Sequence, residues 1–313
     1  MAPAAVSPDL LAGPDGYDDV GAIRLHNGKI GLHTVDFFPP VVDDARAYGA
    51  IAAANSLSDI YASGGEAKVV LNMAGFPKDW GIDVLTPIFE GAVEKVQEAG
   101  ALWVGGHSVV SEEPLYGFAI YGEVREEDLA TNDGARPGDL LFLTKPIGVG
   151  SINTAVKRDI ADAADVAVAV AGMSRLNKRG AEAMRAVQAK AATDITGFGL
   201  LGHAANIARA SEVVLHLEFG SLPLYPGAAK LAQQGIFSGG SGRGREHQGS
   251  FVSIGDKTPK WLADLAFDAE TSGGLLVCVP PEKAKDFLDA IPEDEPIAHV
   301  GEVRSGQAGV VLG

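Results

Sequence analysis

The sequence predicts a two-domain α/β or α+β protein. Strand-like and helix-like segments alternate through both halves, the pattern of layered mixed folds. The 313 residues exceed what a single core commonly holds. The turn Arg136-Pro137-Gly138-Asp139 separates a strand-rich stretch from a more helical one and places a boundary between residues 1–137 and 138–313.

Taken in order, Val20 to Leu25 and Lys29 to Val35 read as strands joined at His26-Asn27-Gly28, a hairpin signal. Ala45 to Ser63 is an alanine-rich helix closed by Gly64-Gly65. Lys68 to Ala74 is strand-like, and Val84 to Ala99 is a helix with an apolar stripe. Ala101 to Val104 is a short strand running into Gly105-Gly106, and Leu115 to Val124 is another strand. Past the boundary, Leu140 to Thr144 is a strand, followed by helices at Val149 to Val156, Asp159 to Ala171, Leu176 to Ala189 and Phe198 to Ala210. Val213 to Leu217, Phe251 to Ile254, Gly274 to Val279 and Ala298 to Val303 read as strands. Ser238 to Gly249, rich in glycine, reads as a surface loop or as a lid over an anion.

Hydrophobic residues at 46% and charged residues at 21% are ordinary for a globular chain and argue against disorder. No apolar run reaches the roughly 18–20 residues that span a bilayer, and the segment from Met1 to Gly16 lacks a signal-peptide pattern. The expectation is a soluble cytoplasmic protein. A formal net charge of −16 disfavours nucleic acid and anionic membranes as partners. The single cysteine, Cys278, lies in an apolar run and reads as a small buried hydrophobe rather than a nucleophile.

The carboxylates are grouped. Asp18-Asp19 precede the first hairpin strand and Asp36 ends the second. Asn55 and Asp59, four residues apart, share one helix face. Asp194 stands in Thr193-Asp194-Ile195-Thr196-Gly197-Phe198-Gly199, ahead of a helix, where a capping role explains it as well as a ligand role does. Asp59 is harder to explain structurally, since aspartate is a poor residue for the interior of an apolar helix. Oxygen ligands at strand ends and helix starts suit Mg2+, which bridges carboxylates to phosphate oxygens in nucleotide sites. Gly105-Gly106-His107-Ser108 after a strand fits either a plain turn or a backbone cradle for phosphate. Neither a Walker A motif nor a kinase glycine loop with its lysine is present, so ATP use would need another scaffold.

Together these segments resemble selenophosphate synthetase (selenide, water dikinase), a member of the aminoimidazole ribonucleotide synthetase-like superfamily. The resemblance is carried by Thr34-Val35-Asp36-Phe37-Phe38, by Ala52 through Gly65 with Asn55 and Asp59, and by Gly105-Gly106-His107-Ser108. Leu141 through Pro146, the Asp194 segment through His203, and Thr271-Ser272-Gly273-Gly274-Leu275-Leu276 extend it in order toward the C-terminus. It implies N-terminal domains that pair in a homodimer as a shared β-barrel, each with a C-terminal α/β domain. It also implies a reaction in which ATP, selenide and water give selenophosphate, AMP and phosphate.

By the same resemblance, Asp19, Asp59 and Asp194 hold Mg2+. Gly16, Tyr17, Asp18, Asp36, Asn55 and Asp59 contact ATP, and Gly106, His107 and Ser108 reach the partner's nucleotide. The family's glycine-rich loop with a cysteine or selenocysteine followed by lysine has no counterpart before Lys29. No catalytic residue is therefore assigned, and the chain as it stands is expected to bind Mg-ATP and make little selenophosphate. Three readings stay open: a selenophosphate synthetase, a superfamily small-molecule kinase or ligase, and a non-catalytic ATP-binding homologue.

Overall fold

The computed structural model describes residues 7–13 and 16–313, so the start of the N-terminal segment lies outside the described residues. Two sheets organise them. The first runs β1-β2-β3-β6-β4-β5, from β1 (Leu10–Ala12), β2 (Gly21–Arg24), β3 (Lys29–Phe38), β4 (Glu66–Phe76), β5 (Leu102–Val110) and β6 (Leu115–Arg125). β4 and β5 pair in parallel and the other pairs are antiparallel. The expected β2–β3 hairpin forms, with Gly28 at φ +79° in its turn, where only glycine is comfortable.

Helices α1 (Ala45–Ala62) and α2 (Ile82–Ala99) pack on this sheet. Asp44 caps α1 by accepting the Ala47 N–H at 2.6 Å. The chain leaves the helix through Gly64 at φ +73°. The two helices cross with backbone in contact. A Cβ at Gly49 would overlap the Ile88 carbonyl, and one at Gly91 would overlap the Arg46 carbonyl.

The second sheet runs β10-β13-β9-β12-β7-β11-β8. Its strands are β7 (Leu140–Leu143), β8 (Ala191–Asp194), β9 (Val214–Leu217), β10 (Val252–Ile254), β11 (Leu275–Val279), β12 (Ala298–Arg304) and β13 (Gly309–Leu312). Around it lie α3 (Val149–Lys157), α4 (Ala163–Ser174), α5 (Lys178–Val187), α6 (Gly199–Ala210), α7 (Ala228–Gln233), α8 (Gly239–Gln248), α9 (Lys260–Ala266) and α10 (Ala284–Asp289). The two halves share side chains: Ile51 of α1 packs in the core of the second half, and Leu176 and Ala181 pack in that of the first. Among the described residues no helix is long and apolar enough to cross a membrane.

Several expectations need correction. Gly105-Gly106-His107-Ser108 is not a turn after a strand but the middle of β5. Gly105 and Gly106 take φ +146° and +153°, and a Cβ on Gly106 would overlap Asn72. Gly106 is thus required by close passage along β4 and Gly105 by its positive φ, next to a register shift at Val70/Leu71. Ser238 to Gly249 is a helix rather than a loop. Ser238 caps it by accepting the Gly240 N–H at 3.0 Å, and Gly240 and Gly244 let it lie close on Ala269 and Phe267. The helix expected from Asp159 begins at Ala163, because Asp159 itself turns at φ +56° and Asp162 supplies the cap. Asp194 is not a helix cap: it ends β8, and α6 starts after Phe198.

The α1–α2 contact makes a direct test. Gly49→Ala should destabilise the protein by about 1–3 kcal/mol through overpacking. Gly220→Ala, at a position with open space around it, should stay within about 0.5 kcal/mol. Equal urea midpoints for the two variants would show that α1 and α2 do not meet as described.

Candidate active site

Helix α1 is the base of the site. It is buried along most of its length, yet carries Asn55, Ser56, Ser58 and Asp59. Buried polar groups need partners, and these find them on β3 and in the second half. Thr34 of β3 donates its hydroxyl to the Asp59 carboxylate. Asn55 Nδ2 donates to the Asp36 carboxylate, also on β3. The Ser56 hydroxyl bonds the Asp36 carbonyl at 3.0 Å. On the other side, Asn55 Oδ1 accepts the Ser272 N–H at 2.8 Å. The amide of Asn55 is thus engaged at both ends, and it joins the halves.

Asp194 arrives from the second half at the end of β8, opposite Leu275 of β11. Asp19 arrives just ahead of β2, where the Thr193 hydroxyl holds it at 3.1 Å. One carboxylate oxygen from each of Asp19, Asp59 and Asp194 lies within 4.8 Å of the others. Burial pushes all three carboxyls above the ordinary aspartate range. For Asp19 and Asp59 the charge of Asp194 adds to the shift. Asp194 itself is raised to about 6 by burial, partly offset by the Ser58 hydroxyl. Its Oδ2 is buried with no partner. Three acids crowded in a medium of low dielectric repel one another. Such a cluster suits a hard divalent cation that takes oxygen ligands.

The loop after Asp194 is held by His203, which sequence reasoning left without a role. Its Nε2 accepts the Thr196 N–H at 3.1 Å and its Nδ1 faces the Thr193 hydroxyl at 3.4 Å. That pattern fits a neutral ring protonated at Nδ1, and burial lowers its pKa to about 4. His203, Thr193 and Asp19 thus form one line of support. Sequence reasoning also gives no role to Thr34, Ser58, Asn177 and Lys145. Ser58 and Thr193 stand beside Asp59 and Asp194, a signal that was available. Nothing local marks Asn177 or Lys145.

Asp36, Asn55, Asp59, Asp19 and Asp194 therefore converge. Gly16, Tyr17 and Asp18 flank the cluster and are tied to Asn132. The Asn132 backbone N–H donates to Asp18 at 2.8 Å, and Asn132 Nδ2 donates to the Tyr17 carbonyl at 2.7 Å. Tyr17 stands exposed at φ +54°. Gly106, His107 and Ser108 lie on the edge strand β5, with β6 and β4 between it and β3. The fold of one chain does not bring them to the aspartates.

Two family models match the chain, the AIR synthase related protein N-terminal domain over residues 17–124 and its C-terminal domain over 136–313. The chain is 45% identical over 279 residues to the selenide, water dikinase of Caldanaerobacter subterraneus subsp. tengcongensis, spanning 89% of this chain and 80% of that protein. It is 43% identical over 311 residues to the selenide, water dikinase of Desulfitobacterium hafniense, spanning 99% and 91%. Among solved structures, thiamine-monophosphate kinase of Stenotrophomonas maltophilia superposes with a TM-score of 0.71 at 20% identity, over 97% of this chain and 91% of that one. The hydrogenase maturation protein HypE of E. coli gives 0.66 at 18%, over 90% and 83%. These two likenesses show the fold alone. At the level of sequence, the chain belongs to the AIR synthase related proteins and, within them, to the selenide, water dikinases.

Proposed function

We propose that this chain is a cytoplasmic selenide, water dikinase that converts ATP, selenide and water to selenophosphate, AMP and phosphate. The observation that carries the reading is the meeting of Asp19, Asp59 and Asp194, drawn from both halves, within a chain of that family. The halves divide at residues 1–137 and 138–313, and the site lies between them.

The donor set fits Mg2+: three carboxylates, with the unpartnered Asp194 Oδ2 among them. When bound, the ion would neutralise charge on the nucleotide's phosphates. The chain's own residues orient the reactants. Thr34 and Thr193 fix the Asp59 and Asp19 carboxylates. Gly16, Tyr17, Asp18, Asp36, Asn55 and Asp59 make up the ATP contacts, with Asn55 acting through Asp36 because its own amide is engaged. Cys278 supplies no thiolate: it is buried in β11, and burial pushes its thiol far above the usual range.

The chain works as a homodimer through the first sheet. Val35 and Leu71 share one row across that sheet, and Phe37 and His107 the next. All four are exposed, as is Val109, two residues beyond His107 on the same face of β5. An apolar sheet face of this extent is a feature of interfaces, and it carries the Gly106-His107-Ser108 segment that would serve the partner's nucleotide.

Mg-ATP should stabilise the fold, by about 2.7 kcal/mol at 100 times its dissociation constant. Asp59→Asn should lose most of that gain, and equal thermal shifts for wild type and variant would refute the metal assignment. For the dimer, mixing His107→Ala with Asp59→Asn subunits should restore activity in part, since some heterodimers keep one intact site. Light scattering that finds a monomer able to bind ATP would remove the shared site. The reaction is read by phosphorus NMR with ATP, magnesium and selenide under anaerobic conditions. Selenophosphate formed with AMP at a matching rate supports the dikinase reading and overturns the expectation, drawn from the residues before Lys29, that this chain makes little of it. ADP would indicate a small-molecule kinase instead, and ATP binding with no product would indicate a non-catalytic homologue.

A further inference from the structure

Hydrogen bonds on both sides of Ser272 tie it to the two halves across their junction. Lys145, two residues past β7, buries its amine and donates to the carbonyls of Arg175 and Ser272, each at 2.7 Å. The Ser272 N–H donates to Asn55 Oδ1 at 2.8 Å, and Asn55 Nδ2 donates to the Asp36 carboxylate. Lys145 is linked in this way to a carboxylate in the other half through the backbone of one residue, whose two peptide groups meet at the Ser272 Cα, and one side-chain amide.

Several features show that the line is held in place. Ser272 takes φ +51°, a left-handed conformation that side chains other than glycine adopt at a cost. Its hydroxyl is buried without a partner, so the side chain does not explain the conformation; the bonds made by the peptide groups on either side of its Cα do. A Cβ on Gly274 would overlap the Lys145 backbone nitrogen, which leaves the turn seated directly on Lys145. Asn177 Nδ2 clamps the same turn through the Gly273 carbonyl and reaches the Ser58 hydroxyl, both at 2.8 Å. Burial lowers the Lys145 amine to about 7. An apolar side chain would fill that interior position without such a desolvation cost, so the amine is retained for what it bonds.

An asparagine amide has nearly the same shape in both orientations, and only its hydrogen bonds distinguish them. If the Ser272 N–H moved away, the rotated amide would turn Oδ1 toward Asp36, oxygen against oxygen. We propose that Lys145 is a positioning residue of the nucleotide site: by holding the Ser272 carbonyl it fixes the backbone of Ser272, whose N–H sets the Asn55 amide and through it the Asp36 carboxylate. The inference rests on Asp36 being an ATP contact, as read above.

Titration calorimetry of Mg-ATP on wild type, Lys145→Met, Asn55→Ala and the double variant tests it. Each single change should raise Kd about 10-fold, and the double variant should also stand near 10-fold because both cut one line. A double variant near 100-fold overturns the inference. So does a Lys145→Met protein that melts earlier yet binds with an unchanged Kd, the signature of a merely structural lysine. Should Lys145→Met fail to fold, amide exchange in the wild-type protein decides. The Ser272 amide should be protected without ligand, and rapid exchange there refutes the line. Wild type that binds no Mg-ATP refutes the nucleotide reading and this inference together. Wild type that binds, with an additive cycle, refutes this inference alone.

Discussion

The structure depends on a helix that is buried between two sheets while carrying a polar face. α1 contributes to both cores, with Leu57 and Ile60 in the first and Ile51 in the second. A helix buried on most sides leaves no water for its polar residues, and an unpartnered polar group in such a place costs about 1–3 kcal/mol. Asn55, Ser56, Ser58 and Asp59 therefore dictate what surrounds them. β3 must carry Thr34 and Asp36 in its second half, and the turn before β11 must present the Ser272 N–H. The pairing of the halves is set by this satisfaction of polar groups as much as by apolar area, and the same groups build the site.

The acidic cluster works against that stability. Asp19, Asp59 and Asp194 stand closer than their charges favour, and burial has already raised each of their pKa values. The surrounding structure holds them by short-range bonds from rigid elements: Thr34 in a strand, Thr193 at a strand end, His203 in α6. Carboxylates kept in place before a ligand arrives need little reorganisation when it does, which is the advantage of a preorganised site. The stability of the rest of the fold offsets the repulsion, and a bound cation reverses its sign.

Much of this was legible in the residues. The Asn27-Gly28 hairpin follows from local chemistry, and α1 from alanine content and an apolar run ending in glycine. Asp59 stood out because aspartate is out of place in such a helix, and the fold bears out the spacing of Asn55 and Asp59 on one face. What was not legible depended on distant partners. The paired glycines of β5 look like a turn until β4 is placed beside them with Asn72 filling the space where a Cβ would be. The glycines of α8 look like a loop until Ala269 and Phe267 are seen beneath them. Short strands such as β1, β8 and β13 have too few residues to show a period. Lys145 and Ser272 are 127 positions apart, and no local pattern announces a bond between them. Asp194 was ambiguous between cap and ligand because a strand end and a helix start share the same short segment. The position of Phe198 as the cap of α6 removes the capping reading.

The distribution of the cluster over both halves constrains how such a protein can work. Asp19 and Asp59 belong to the first sheet and its helix, and Asp194 to the second. Neither half alone can assemble three carboxylates, so affinity for a ligand that bridges them is also affinity of one half for the other. The junction already has rigid connections: the Ser272–Asn55 bond, the Asn177–Ser58 bond, and Ile51 set into the opposite core. A hinge at this junction would have to break buried hydrogen bonds in a medium where their loss is expensive. Motion that admits and releases ligand is therefore more readily supplied by segments outside the junction than by opening the halves. Candidates are the segment around Tyr17, whose ring is largely in solvent, and the loop at Phe198, also exposed. The bonds that hold the three carboxylates are thus continuous with those that join the halves, so the spacing of the cluster and the pairing of the halves are set together.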